Sequence, residues 1–496
     1  MNIAFDHLFN SFKGMSYTSF SFFIFLTALF FIFYIVPSKS RYIVMAIFSG
    51  LFIISIGGIY AVVVVYATSL FAYVMARIIN RYNQKWICIL SNSIIVMILL
   101  AFKYVAYYEK LIPRSLGFDD NSLKLIAPVG ISFYSLQLIA YISDVYRKEI
   151  IPEKNIIKFT LFITWFPHIL QGPIARYGEL SESLFNPPKF DFDRACFGLQ
   201  RMIWGLLQKL LIADRAKIIV DEVFTNNGRY GSVETIYAAI LFGIELYADF
   251  SGCANISIGL SEILGIRLHE NFNQPYFSCS IREFWRKWHI TLSEFLKDYI
   301  YIPIGGGKKG KIRKYINIMI TFFISGLWHG VGNHYIVWGL MHGSYQVIED
   351  VAKDCKNRIF GKEENKKYIG IRKVVRVIFT FIMVDLAWIM FRADSISHAF
   401  QLYKNILFGF DPWMLFNGEL YLLGQNYKET NLLLFFTVLM FIIDYLHVKG
   451  ISVRKSISNF TIVTRWLIYF AVIFSVILFG KYGYGYNASD FIYMNF

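Results

Sequence analysis

The sequence predicts an all-α polytopic integral membrane protein, on the evidence of its composition and the spacing of its apolar residues. Of the 496 residues, 56% are hydrophobic, 19% are aromatic and only 17% are charged, whereas a soluble domain carries about 25% charged residues. The apolar residues cluster into runs that reach or approach the roughly 20 residues needed to cross a bilayer core. These runs predict about 11 to 13 hydrophobic segments.

The apolar runs follow one another along the chain with loop-sized polar connections. The first, residues 17–36, has no small-residue cleavage site, so we expect a retained span rather than a removed signal peptide. The others are residues 42–56, 59–75, 86–102, 156–170, 315–327, 374–391, 431–445 and 467–480. Because we find no internal repeat and no long polar stretch, residues 1–496 are predicted to form one membrane domain.

The net charge of +15 would suggest a nucleic-acid partner in a soluble protein. Here the basic residues gather between apolar runs, so the positive-inside rule explains them and no nucleic acid is expected. Residues 305–314 and 353–373 are both rich in lysine and arginine and are predicted to be cytoplasmic. The apolar stretch between them is therefore predicted to be a hairpin. Attraction to anionic lipid head groups is a compatible second explanation of the charge.

Neither disulfides nor a metal site is predicted. The five cysteines share no CxxC spacing, and no HExxH or similar pattern occurs.

Polar residues within apolar segments mark where function should be sought, because polar groups at membrane depth must be buried in protein or line a cavity. Residues 127–150 contain such groups, and helix–helix bonding and cavity lining remain equally open there. Residues 166–177 contain two prolines and a glycine, which predict a kinked or re-entrant end. We expect a structural role for His168 in that segment.

Two later segments carry charged groups. Glu245 and Asp249 lie four residues apart, so they share one helix face, and we expect them to pair with a buried arginine or histidine. Residues 280–307 interleave basic and aromatic residues around His289, which predicts an interfacial helix or a re-entrant element. Its basic groups could also serve an anionic, phosphate-bearing substrate.

Three histidines occupy one of the most apolar stretches, residues 321–343. His329 and His342 are thirteen residues apart with glycines between them, so we expect them on two segments that fold back on each other. His334 is expected at the turn. Residue types alone leave a packing role and a chemical role open for each histidine.

Seven motifs together resemble the membrane-bound O-acyltransferase family, and specifically its bacterial branch of alginate and peptidoglycan O-acetylation proteins. In chain order the motifs are PVGISFYSLQLIAYISDVYR, FPHILQGPIARY, YADFSGCANISIGLSEILG, FWRKWHITLSEFLKDYIYIPIGG, SGLWHG, LAWIMFRADS and FIYMNF. They extend from Pro128 to Phe496. Residues 1–127 match mainly in hydropathy and are expected to be N-terminal transmembrane helices, with the catalytic core and C-terminal helices in residues 128–496.

The resemblance implies a fold and a set of site residues. The family fold is a ring of tilted transmembrane and re-entrant helices, in which a cytoplasmic tunnel for an acyl donor meets an outward-facing funnel. The resemblance makes His329 the principal catalytic residue, His289 the second, and His342 a further histidine of less certain function. Imidazole, with an unperturbed pKa of roughly 6.5, suits the removal of a proton from an attacking hydroxyl. A second imidazole or a carboxylate such as Asp249 could hold His329 in one tautomer.

The C-terminal FIYMNF tail allows two interpretations of Tyr493. Its aromatic residues suit an interfacial anchor. The tail also resembles that of a small membrane partner in teichoic acid D-alanylation, which implies that Tyr493 could carry the acyl group.

The expected function is transfer of acetyl from cytoplasmic acetyl-CoA across the bacterial cell membrane, for O-acetylation of an exported polysaccharide or peptidoglycan. No tightly bound cofactor is expected. Because no GxSxG or GDS motif and no large external domain occur, the resemblance implies a separate extracytoplasmic SGNH-type partner for the last step. Two alternatives remain, namely D-alanyl transfer to teichoic acid and a polysaccharide transporter without chemistry.

Overall fold

A computed structural model describes residues 14–108, 128, 130–360, 370–409 and 411–482 of the chain. This part of the protein is built from α-helices joined by short turns, and it contains no β-strand beyond an isolated antiparallel bridge between Phe272 and Trp288. The predicted all-α architecture is therefore confirmed.

The described chain contains nineteen α-helices. The first nine are α1 (Phe20–Ile35), α2 (Arg41–Tyr82), α3 (Lys85–Tyr108), α4 (Ile131–Tyr146), α5 (Ile156–Thr164), α6 (Phe166–Ile169), α7 (Tyr177–Phe185), α8 (Phe192–Leu207) and α9 (Asp214–Thr225). The rest are α10 (Ser232–Ile263), α11 (Ile281–Trp285), α12 (Ile290–Leu296), α13 (Lys311–His329), α14 (Asn333–Phe360), α15 (Ile371–Arg392), α16 (Ile396–Phe408), α17 (Tyr427–Val448), α18 (Val453–Ser458) and α19 (Ile462–Phe479). Residues Gln208–Ala213 and Lys297–Tyr301 form π-helical turns.

The chain divides into two compact units. The first comprises the described parts of Met1–Gly205 and Tyr482–Phe496, together with Cys253–His269, and the second comprises the described parts of Leu206–Gly252 and Glu270–Lys481. The prediction of a single membrane domain stays a prediction.

Six helices in the described ranges are long and apolar enough to cross a bilayer, namely α2, α3, α10, α15, α17 and α19. The helix α1 is apolar but shorter. Among the six, α10 is by far the most enclosed, with 83% of its most apolar window buried. The chain is thus a multi-pass membrane protein.

Two breaks in the helices of the first unit fall at specific residues. Residues 42–56 and 59–75 belong to one long helix, α2, which is broken at Gly58, where φ is +66°. Residues 156–170 were predicted as one run but form two helices, α5 and α6, separated at Trp165. Pro167 explains this break, because it has no N–H to donate to the carbonyl of Ile163 and its ring would crowd that carbonyl.

The predicted hairpin is confirmed in the second unit, where α13 and α14 are joined by only three residues. Glycines let the two backbones touch. A β-carbon on Gly326 would overlap the carbonyl oxygen of Tyr335, and one on Gly339 would overlap that of Phe322. Close backbone approach at small residues is a common way for helices to pack in membranes.

The open end of this hairpin carries the two basic stretches. Lys311 at the start of α13 pairs with Asp354 near the end of α14, with 2.6 Å between Nζ and Oδ2. Lys314 pairs with Asp350 one turn further in. The end of the first basic stretch and the described start of the second therefore lie beside each other, as the positive-inside pattern requires of two loops on the same membrane side.

Candidate active site

His329 is the last residue of α13 and lies within a wall of aromatic rings in the second unit. Only 2% of its surface is exposed. Its ring centroid is 4.8 Å from that of Trp338 on α14 and 5.4 Å from that of Phe391 on α15, both edge-on. The imidazole of His329 therefore lies where α13, α14 and α15 meet.

His289 lies between α11 and α12 and is 1% exposed. Its φ of 42° and ψ of 56° are left-handed, a conformation that costs a non-glycine residue about 1–2 kcal/mol. Such strain concentrates at functional sites, where the surrounding structure enforces it. The amphipathic pattern left two alternatives open, an interfacial helix or a re-entrant element, and the structure shows that the segment is not a single continuous helix. It is broken at His289, which is buried.

The indole of Trp328 connects the two histidines. Its ring centroid lies 4.8 Å from that of His329 and 6.0 Å from that of His289. On another side, the ring of His289 meets the ring of Phe250 from α10, edge-on at 4.6 Å. The structure therefore brings His289 and His329 into one buried aromatic cluster.

His342 lies on α14, one turn beyond Trp338, and is fully buried. Trp338 contacts both His329 and His342, at centroid distances of 4.8 and 5.1 Å. Nε1 of Trp285 donates a hydrogen bond to Nδ1 of His342 over 3.2 Å. Because an indole only donates, a neutral His342 carries its proton on Nε2. Trp285 is a site residue that motif reasoning did not single out.

Asp249 on α10 forms a buried ion pair with Lys209. Nζ of Lys209 is 2.7 Å from Oδ1 of Asp249 and 2.9 Å from Oδ1 of Asp214, and all three side chains are almost completely enclosed. We expected an arginine or histidine partner for Asp249, and the ion pair seen here is with a lysine from the π-helical turn. In the sequence, Lys209 could have been noticed as the single charged residue between Leu206 and Ile212. Beside this pair, Gln208 Nε2 donates to Ser251 Oγ over 2.9 Å.

This ion pair lies next to the contact between α10 and His289, because Phe250, which packs on His289, directly follows Asp249 in the chain. The role of Asp249 in orienting His329 stays a prediction. The described residues contain no group of three or more His, Cys, Asp or Glu side chains suited to a metal ion.

The other predicted residues lie elsewhere. His334 is in the first turn of α14 and packs on the ring of Tyr335, with 4.1 Å between centroids. His168 is buried in α6 of the first unit. Tyr493 lies outside the described residues.

Comparison with known proteins identifies relatives of the region that contains this cluster. The model of the membrane-bound O-acyltransferase family matches residues 147–390, a range that contains all three histidines of the cluster and Asp249. The chain is 36% identical to the probable alginate O-acetylase AlgI of Pseudomonas putida over 345 residues, which are 68% of each chain. It is 30% identical to the peptidoglycan O-acetyltransferase of Helicobacter pylori over 354 residues, 66% of each chain.

The chain is also similar to a protein that is named for a different activity. The teichoic acid D-alanyltransferase of Bacillus subtilis is 30% identical over 295 residues, covering 55% of this chain and 71% of that protein. All three relatives are named for the attachment of an acyl group, either acetyl or D-alanyl. The chain therefore belongs to the membrane-bound O-acyltransferase family, and it is a multi-pass membrane acyltransferase.

Proposed function

We propose that the protein transfers acetyl from cytoplasmic acetyl-CoA across the bacterial cell membrane, for O-acetylation of an exported polysaccharide or of peptidoglycan. The observation that carries the proposal is the shared position of His289 and His329 against Trp328, in a buried aromatic cluster. The acetyl specificity is supported by the names of the alginate and peptidoglycan relatives.

The histidine cluster provides the chemistry that this transfer needs. His329 accepts the proton of an attacking hydroxyl while its oxygen bonds to the acetyl carbonyl carbon. The carbon–sulfur bond of the thioester then breaks, and the proton passes to the departing CoA thiolate. A buried imidazole suits this work because it removes and returns a proton without a change in solvent contact. His289, which also packs against Trp328, is assigned the second catalytic position.

Tyr493 is proposed as the first acceptor of the acetyl group, which it then passes outward to the polymer. A tyrosyl ester would divide one transfer across the membrane into two shorter steps. A separate extracytoplasmic SGNH-type protein is proposed to complete the transfer, because this chain carries no GxSxG or GDS motif.

The test compares His329→Gln with a matched control, His334→Gln, in a strain that lacks the native gene. His329→Gln should lower the acetate released by alkali from cell wall and secreted polymer at least about a hundredfold, the usual loss for a general base. His334→Gln should leave it within about twofold, since His334 lies outside the cluster. Equal esterification in both strains would sink the proposal, provided that immunoblots show equal amounts of protein.

A separate experiment tests the donor by supplying labelled acetyl-CoA to everted membrane vesicles and measuring the label incorporated into esters. Label should enter an alkali-labile ester with wild-type protein and not with His329→Gln. Polymer export measured in the same strains addresses the transporter alternative. An acyltransferase leaves export intact and removes the esters.

D-alanyl transfer to teichoic acid is the second candidate, favoured by the 30% identity to the Bacillus subtilis enzyme. Its donor would be a carrier protein rather than acetyl-CoA. The two functions differ in the released product, because mild alkali would liberate alanine in one case and acetate in the other. If His329→Gln loses alanine esters and keeps acetate esters, D-alanyl transfer replaces acetyl transfer as the proposed function.

A further inference from the structure

The loop before α11 runs beside the segment that contains His289. The backbone N–H of Asn273 donates to the carbonyl of Lys287 over 3.0 Å, and the N–H of Ile290 donates to the carbonyl of Asn271 over 3.0 Å. An antiparallel bridge joins Phe272 and Trp288 between these bonds. The strained residue is therefore held by backbone hydrogen bonds on both of its sides.

The side chain of Asn271 strengthens the hold on one side. Its Oδ1 accepts a hydrogen bond from Oγ1 of Thr291 over 2.7 Å and a longer one from the Thr291 N–H over 3.4 Å. Asn271 is 1% exposed and Thr291 is 5% exposed. Because the pair is shielded from water, its hydrogen bonds are not exchanged for bonds to solvent.

The conformation at His289 determines where its imidazole points. The Cα–Cβ bond leaves the backbone in a direction set by φ and ψ, and a return of φ from 42° to the ordinary negative range would swing the ring away from Phe250 and Trp328. A residue with a β-carbon returns to that range unless its neighbours prevent it. Thr291 and Ile290, the two residues after His289, are the ones bound to Asn271.

We propose that Asn271 is a positioning residue for His289, acting through Thr291 and Ile290 to keep the imidazole aimed into the aromatic cluster. The inference rests on the proposed catalytic position of His289. Asn271 itself contributes no atom to the reaction. A purely structural role for the Asn271–Thr291 contact is the competing explanation.

Substitutions at Thr291 separate the two explanations with little change of shape. Thr291→Val removes the hydroxyl and keeps the branching, whereas Thr291→Ser keeps the hydroxyl. Rates of ester formation are measured in everted vesicles over a range of labelled acetyl-CoA concentrations, normalised to protein amount. For Thr291→Val we expect kcat to fall about five- to tenfold, the scale of one lost buried hydrogen bond. KM for acetyl-CoA should stay within about twofold, and Thr291→Ser should retain at least half of the wild-type kcat.

A second measurement places Thr291→Val in the background of His289→Ala. We call the Asn271–Thr291 contact the clamp. If the clamp acts through the imidazole of His289, Thr291→Val causes no further loss of the residual rate in the His289→Ala background. A similar additional loss in both backgrounds, or a wild-type rate for Thr291→Val alone, overturns the inference.

The outcome for His289→Ala alone shows which proposal has failed. A wild-type rate in that variant refutes the catalytic position of His289, and the clamp then has nothing to position. A large loss in His289→Ala combined with a wild-type rate in Thr291→Val refutes the clamp and leaves the proposed function standing.

Discussion

The indole of Trp285 donates its only N–H to Nδ1 of His342 over 3.2 Å. Both rings are buried, and Phe322 and Trp338 pack around them. This contact determines the tautomer of the neutral imidazole and makes its Nε2 a hydrogen-bond donor. His342 is therefore suited to orient a neighbouring acceptor rather than to remove a proton.

Trp285→Phe tests this role, because it keeps an aromatic ring and removes the donor. We expect ester formation to fall about fivefold as His342 divides its population between two tautomers and loses a hydrogen bond. The matched control is Trp413→Phe, since Trp413 is exposed and outside the cluster. The measurement is acetate released from the polymer at equal protein amounts, and equal release from the two variants would contradict the prediction.

Gly339→Ala should destabilise the hairpin, because the new methyl group would overlap the carbonyl oxygen of Phe322. Overpacking of this kind costs about 1–3 kcal/mol. The control is Gly50→Ala in α2, where the new methyl would have its nearest neighbour, the Tyr66 hydroxyl, at 3.6 Å. That change should be neutral or stabilise the helix by up to about 1 kcal/mol. Thermal unfolding of the two purified variants in detergent compares them, and equal melting temperatures would refute the close-packing argument.

Lys209→Met should destabilise the protein strongly. It leaves the carboxylates of Asp249 and Asp214 in the interior without the cation that binds both, and breaking a buried pair from one side costs about 3–5 kcal/mol. Lys311→Met is the control, since its ion pair with Asp354 lies at the surface and contributes roughly 0–1 kcal/mol. Adding Asp249→Leu to Lys209→Met should recover part of the lost melting temperature. No recovery would show that Lys209 stabilises the protein by packing alone.

Tyr493→Phe should abolish esterification of the polymer while the protein stays inserted at wild-type amounts. The phenolic oxygen is the only atom removed, and it is the atom proposed to carry the acetyl group. Phe491→Tyr in the Tyr493→Phe background is the companion variant, because it returns a hydroxyl at a neighbouring place in the tail. Unchanged ester content in Tyr493→Phe would contradict the carrier role and favour an interfacial anchor.

Apolar run length predicts membrane crossing well here, and local backbone chemistry decides where the runs break. Gly58 falls between two predicted runs, so its break in α2 is visible in the sequence. The separation of α5 from α6 depends on Pro167, whose effect is felt several residues upstream. The helix α10 was harder to predict as a span, because it faces protein along most of its length and therefore tolerates Glu245, Asp249 and several serines.

For the candidate site, the sequence predicts which histidines matter but not how they are arranged. Motif order identifies His289 and His329, but the sequence does not show that both rings pack against Trp328. The left-handed backbone at His289 carries no sequence signal, because glycine and asparagine are the residues that usually mark it. Lys209 and Asp249 are forty residues apart in the chain, so only the fold reveals their pairing.

The glycine contacts between α13 and α14 also bear on motion during turnover. Two helices whose backbones touch at Gly326 and Gly339 resist sliding, because a shift would bring the carbonyl oxygens of Tyr335 and Phe322 against residues larger than glycine. We therefore expect His329 and His342 to move as one unit and to keep a constant separation through the reaction cycle. Any gating that admits a donor or releases a product must come from elements that move around this hairpin, and a fluorophore pair placed across α13 and α14 should report no change in distance as acetyl-CoA is added.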